Sequence, residues 1–126
     1  MIQIHDDLND TMAVPANPDW LQCRSPLPIL FAKIVDHPER VRFLELCRDI
    51  TDEAALREAQ NILVRCGAVS YCVDQLLHRY QAGREAMQTV NLARPELIVN
   101  LFEEVVEPVW RLFDAIGVPP PRMAIP

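Results

Sequence analysis

A chain of 126 residues with 18 acidic and 12 basic side chains carries a net charge of −6, with no run of Lys or Arg. Phosphate backbones require a basic face, so nucleic acid is not an expected partner. No apolar run approaches a membrane span and no charged-then-apolar leader opens the chain, which leads us to expect one domain over residues 1–126 in the cytoplasm.

Only three glycines, no Asn-Gly hairpin turn and no period-2 apolar run predict an all-α helical bundle. The first dozen residues read as the end of a helix. Within them Gln3-Ile4-His5-Asp6-Asp7-Leu8-Asn9-Asp10 forms a DDxxD cluster. Asp6 and Asp10 are four apart, so their carboxylates leave one face about a turn from each other. Like charges held that close repel, and folding alone does not reward them. A divalent cation does, since Mg²⁺ takes one or two carboxylates with water and substrate phosphates around it. The same pattern also reads as an acidic, solvated helix end.

A loop over 13–25, with Pro15 and Pro18, separates this helix from one opening near Pro26, with Ser25 as its cap. The second helix is expected to carry Leu27, Leu30, Phe31 and Ile34 inward and to stop before His37-Pro38. A third runs from about Pro38 to Ile50 with Val41, Leu44 and Cys47 on its buried side. Thr51-Asp52-Glu53 looks like a cap with acids in the first turn. That fourth helix reaches about Cys66 and buries Ala55, Leu56, Ala59, Ile62 and Leu63, and Gly67 marks a break.

A long helix from Ala68 to Thr89 is expected to bury a stripe through Val69, Cys72, Val73, Leu76, Leu77, Tyr80 and Met87. The last helix opens at Pro95, runs to about Ile116, and should kink at Pro108. It is expected to bury Leu97, Ile98, Leu101, Phe102, Val105, Val109, Leu112 and Phe113, as core or as an oligomer face. Gly117 ends it, and 118–126 is expected to be a loose tail. Cys23, Cys47, Cys66 and Cys72 lack CxxC spacing and read as reduced thiols in small apolar positions.

Taken together, these pieces resemble the trans-isoprenyl (polyprenyl) diphosphate synthase family. The family pattern is Q-I-x-D-D-x-x-D, a loop with an acidic residue (here Asp19), then Gly-Lys-x-x-Leu-Pro opening the next helix. Glu58 to Cys72, through Cys66-Gly67-Ala68, is similar to that family's helix ending in Ser-Gly-Ala or Cys-Gly-Ala. The resemblance runs from Gln3 to Gly117. It departs where Cys23 replaces Gly and Arg24 replaces Lys, a change that keeps the charge and adds a planar fork suited to phosphate.

The resemblance implies part of the isoprenoid synthase fold and a Mg²⁺-dependent condensation of an allylic diphosphate with isopentenyl diphosphate. Carried over by position, Asp6 is the leading metal ligand, with Asp7 and Asp10 supporting it. Arg24 holds diphosphate oxygens, and Gln3 faces the allylic tail. Only the second of the family's two aspartate-rich motifs is matched. The chain is therefore expected to be inactive alone, and to work as a homo-oligomer or with a chain supplying the first motif. The alternative is a non-catalytic helical regulatory or interaction subunit of a full-length prenyl synthase.

Overall fold

The computed structural model describes residues 1–22 and 24–119, and among them there are helices and no strand. Helix α1 spans Ile2–Met12, and a single 3₁₀ turn covers Pro18–Trp20. Then follow α2 (Leu27–Ile34), α3 (Arg40–Arg48), α4 (Glu53–Arg65), α5 (Ala68–Thr89) and α6 (Pro95–Ile116). The expected all-α class is what the chain adopts. The proposed loose tail falls largely on 120–126, outside the described residues. Two compact units divide the chain, Ile2–Asp74 and Gln75–Pro126, so the boundary falls within α5.

The first unit owns a continuous apolar core. Trp20, Ile29, Ala32, Phe43, Leu46, Leu56, Ala59, Ile62, Leu63 and Ala68 form it. Trp20 meets Phe43 edge-on with ring centroids 6.2 Å apart, a favoured aromatic arrangement. On α4 the expected stripe holds, with Leu56, Ala59, Ile62 and Leu63 buried and Ala55 half-buried.

Two of the other helices are rotated from expectation. On α2 the buried positions are Pro28, Ile29 and Ala32, while Leu30 and Ile34 face outward at 39% and 64% exposure. On α3 Phe43 and Leu46 are buried and Val41 is 71% exposed. Both helices are short and rich in apolar residues on more than one side. Periodicity then permits several inward faces, and the neighbouring elements choose among them.

Local chemistry sets the helix ends. Asp52 caps α4, its Oδ1 accepting from Ala55 N at 2.7 Å, as the sequence suggests. Ser25 does not cap α2. The carbonyls of Ala32 and Lys33 near the end of α2 accept instead from His37 Nε2 at 2.9 Å and Arg40 Nε at 2.7 Å. Across α3 and α4, Arg42 grips Glu58 (Nε–Oε1 2.7 Å), and Arg65, the last residue of α4, grips Glu39, the residue before α3 (Nη2–Oε1 2.6 Å). The arginines hold both carboxyls below the usual carboxylate range. These pairs are exposed, so they fix register more than they stabilise.

In the second unit, the later turns of α5 run antiparallel to α6. Arg84 Nη1 reaches Glu103 Oε1 at 2.8 Å, and Tyr80, a turn earlier, packs edge-on against Trp110 at 6.1 Å. Gly83 permits the close approach, because a Cβ there would sit 2.6 Å from Phe102 Cε2. Val105, Val106 and Val109 are buried on α6, whereas Leu97, Leu101 and Leu112, expected inside, are 53%, 44% and 49% exposed. The helix continues through Pro108. Gly117, at φ 66°, closes it, with Val118 N donating to Phe113 O at 3.1 Å, a left-handed helix terminus.

Candidate functional site

The acidic helix is held in place at its far end. Thr11 is buried, and its Oγ1 donates to Asp7 O at 2.6 Å. A helix C-terminus leaves its last carbonyls without partners, and here side chains from elsewhere supply them. Trp20 Nε1 donates to Thr11 O at 3.2 Å, and Gln60 Nε2 donates to Thr11 O and to Ala13 O, each at 3.1 Å. Gln60 is 7% exposed. The tie joins α1 to the 3₁₀ turn and to α4. Neither Trp20 nor Gln60 stands out as a donor in the sequence. The available signal was a carboxamide on the stripe of Leu56, Ala59 and Leu63.

Asp7 makes a second tie. Its Oδ2 accepts from Leu27 N at 3.0 Å, at the opening of α2, and its Oδ1 accepts from Gln3 Nε2 at 2.6 Å. One carboxylate thus serves as a remote cap for a helix whose own flanking residue, Pro26, makes no side-chain cap. Gln3 spends its amide NH₂ on this bond rather than its carboxamide oxygen.

Asp6 and Asp10 are both exposed on neighbouring turns of α1. Asp6 Oδ1 lies 3.3 Å from His5 Nδ1, and His5 also contacts Asn9 across one turn at 3.1 Å. Arg24 is 76% exposed, with Nη1 4.0 Å from Asp19 Oδ1. That is the loose end of an ion pair, and it leaves the guanidinium available to an anion. Arg24 lies three residues before Leu27, the residue whose amide Asp7 holds. The DDxxD helix and the start of α2 are therefore fastened at one point.

Among the described residues no three His, Cys, Asp or Glu side chains converge closely enough to hold a metal ion. Two exposed carboxylates a turn apart still match the habit of Mg²⁺, which takes one or two carboxylates and fills its shell with water and phosphate oxygens. Asp6 and Asp10 fit that role. Asp7 is already engaged on both oxygens.

Cys72, at the start of α5, is fully buried, and burial followed by the nearby Asp7 charge pushes its thiol up to about 11. An acid whose pKa is raised by folding stabilises the native state below its unfolded value near 9. That contribution disappears as pH climbs through about 11. We expect Cys72 to resist iodoacetamide at pH 8 in the native protein and to react once urea unfolds it. Native stability should fall between pH 9 and pH 11, and a Cys72→Ala variant should flatten that fall.

No protein-family model, no curated protein and no solved structure matches this chain.

Proposed function

We propose that this chain is a polyprenyl diphosphate synthase-like prenyltransferase component, in which Asp6 and Asp10 take Mg²⁺ and Arg24 takes the diphosphate of an allylic isoprenoid. A partner chain would supply the first aspartate-rich cluster. The observation that supports this reading is the pair of exposed carboxylates, Asp6 and Asp10, on neighbouring turns of α1. Asp7, bonded to Leu27 N, ties that helix to the start of α2, three residues after Arg24.

Bound Mg²⁺ supplies charge neutralisation on the departing pyrophosphate. Arg24 offers a planar fork to diphosphate oxygens. Asp7 acts as a positioning residue, orienting Gln3 so that its carboxamide oxygen remains for positive charge developing on the allylic carbon. In the condensation, the allylic carbon–oxygen bond breaks as the alkene of isopentenyl diphosphate forms the new carbon–carbon bond, and a proton is then lost.

Calorimetric titration of the purified chain with geranyl diphosphate, with and without MgCl₂, tests this. Binding is expected only with Mg²⁺, and Asp6→Asn or Arg24→Ala should each weaken it about tenfold, or ~1.4 kcal/mol. Isopentenyl diphosphate added to the isolated chain should give no elongated product. Affinity that ignores Mg²⁺, or survives Asp6→Asn intact, would defeat the reading.

A second reading, from another class, is a non-catalytic helical subunit that regulates a full-length prenyl synthase. The engagement of Asp7 in the chain's own hydrogen bonds favours it. In that case Asp6→Asn leaves both partner binding and its effect unchanged.

A further inference from the structure

Lys33, the chain's only lysine, sits in the last turn of α2. A basic side chain there ordinarily serves the free carbonyls of its own helix end. Here other residues serve them, since His37 and Arg40 donate to the carbonyls of Ala32 and Lys33. The Lys33 side chain runs back along the helix instead, in the direction that helical side chains lean. Its Nζ reaches Ser25 Oγ at 3.4 Å, ahead of the opposite end of α2.

Among the described residues no carboxylate lies within ion-pair distance of that ammonium. Ser25 directly follows Arg24, whose guanidinium is exposed and only loosely paired with Asp19. In a chain of net charge −6, two cations thus meet at one loop residue, one beside it in sequence and one bonded to it. Like charges brought together gain nothing from folding by themselves, and an anion offsets them.

We propose that Lys33 and Ser25 complete the diphosphate site with Arg24, Lys33 as its second cation and Ser25 as a hydroxyl donor. This rests on the assignment of Arg24 to diphosphate and extends it to residues on both ends of α2. A diphosphate has two phosphoryl groups and more negative charge than one guanidinium offsets. Lys33 is a point charge on a flexible stem, so it can turn from Ser25 to an anion at little cost. Ser25 Oγ accepts from Lys33 and keeps its own proton for a phosphoryl oxygen. The first amide of α2 is not available, because Asp7 already holds Leu27 N. Anion binding at this corner therefore depends on side chains.

Protection of the single lysine is the test. The full chain is acetylated with an N-hydroxysuccinimide ester, with and without inorganic pyrophosphate and MgCl₂, and Lys33 is followed by peptide mass mapping. Pyrophosphate is expected to slow acetylation of Lys33 about tenfold, whereas sodium chloride of equal ionic strength does not. In calorimetric titrations with pyrophosphate, Lys33→Met should weaken binding about tenfold, and Lys33→Arg should largely keep it. Lys33→Met preserves side-chain length, and its far-UV circular dichroism should match the parent. Should it fail to fold, protection in the unaltered chain still decides the matter. Lys33 protected by pyrophosphate, without Mg²⁺-dependent binding of geranyl diphosphate, would remove the prenyl reading and keep the anion site. Geranyl diphosphate binding that survives Lys33→Met would keep that reading and remove Lys33 from the site. Equal acetylation rates with and without pyrophosphate would overturn the proposal.

Discussion

Replacing Phe43 with alanine is expected to destabilise the first unit by about 3–5 kcal/mol, the usual cost of emptying a filled aromatic site. Phe43 is fully buried, and it joins α3 to the core through Trp20. Helix α3 has nine residues, too few to persist without packing. Its attachment rests on Phe43 and Leu46. The Arg42–Glu58 and Arg65–Glu39 pairs outside are solvent-exposed, and such screened pairs contribute little to stability. Against a typical total of about 5–15 kcal/mol the loss is large. Urea denaturation followed by circular dichroism measures it, with Val41→Ala as control. Val41, at 71% exposure, should change stability by less than ~0.5 kcal/mol. Equal effects for the two variants would mean that α3 turns its other side inward.

Gln60→Leu should also be costly, by about 1–3 kcal/mol, because it strips partners from buried acceptors while nearly conserving volume. Ala13 O would lose the Gln60 bond, and Thr11 O would be left with Trp20. The consequence is local as well as global. The final turn of α1 should open more often, visible as faster amide hydrogen exchange at Asp10 to Met12. Leu8, farther from the tie, should change less. Since α1 carries Asp6 and Asp10, the proposed Mg²⁺-dependent diphosphate binding should weaken along with it. Protection unaltered in Gln60→Leu would show that the tie does not hold the helix.

The helices themselves were readable from the chain because their punctuation is strong. Asp52 in front of Glu53, the break at Gly67, Pro95 at a helix start and Gly117 at a helix end each impose a backbone condition that few residues meet. The inward stripe of α4 was also readable, since its apolar positions keep one period over thirteen residues. The faces of α2 and α3 were not. Leu-Pro-Ile-Leu-Phe-Ala is apolar all round, and packing against α1, α3 and α4 selects Ile29 and Ala32 over Leu30 and Ile34.

At the candidate site, the sequence picked out the acids but not their division of labour. Asp6, Asp7 and Asp10 are equivalent as letters. The separation between Asp7, which bonds an amide twenty positions away, and the exposed Asp6 and Asp10 arises from tertiary structure. The role of Gln60 was hidden for the same reason, since its partners are backbone carbonyls that no pattern of side chains records.

Gly67 sits at φ 87° between α4 and α5, yet a Cβ built there meets nothing within 4 Å. The demand at this position is thus for handedness, not room. A bulky side chain would find ample space, and it is the mirror sense of the backbone, which natural L-residues adopt reluctantly, that shuts them out.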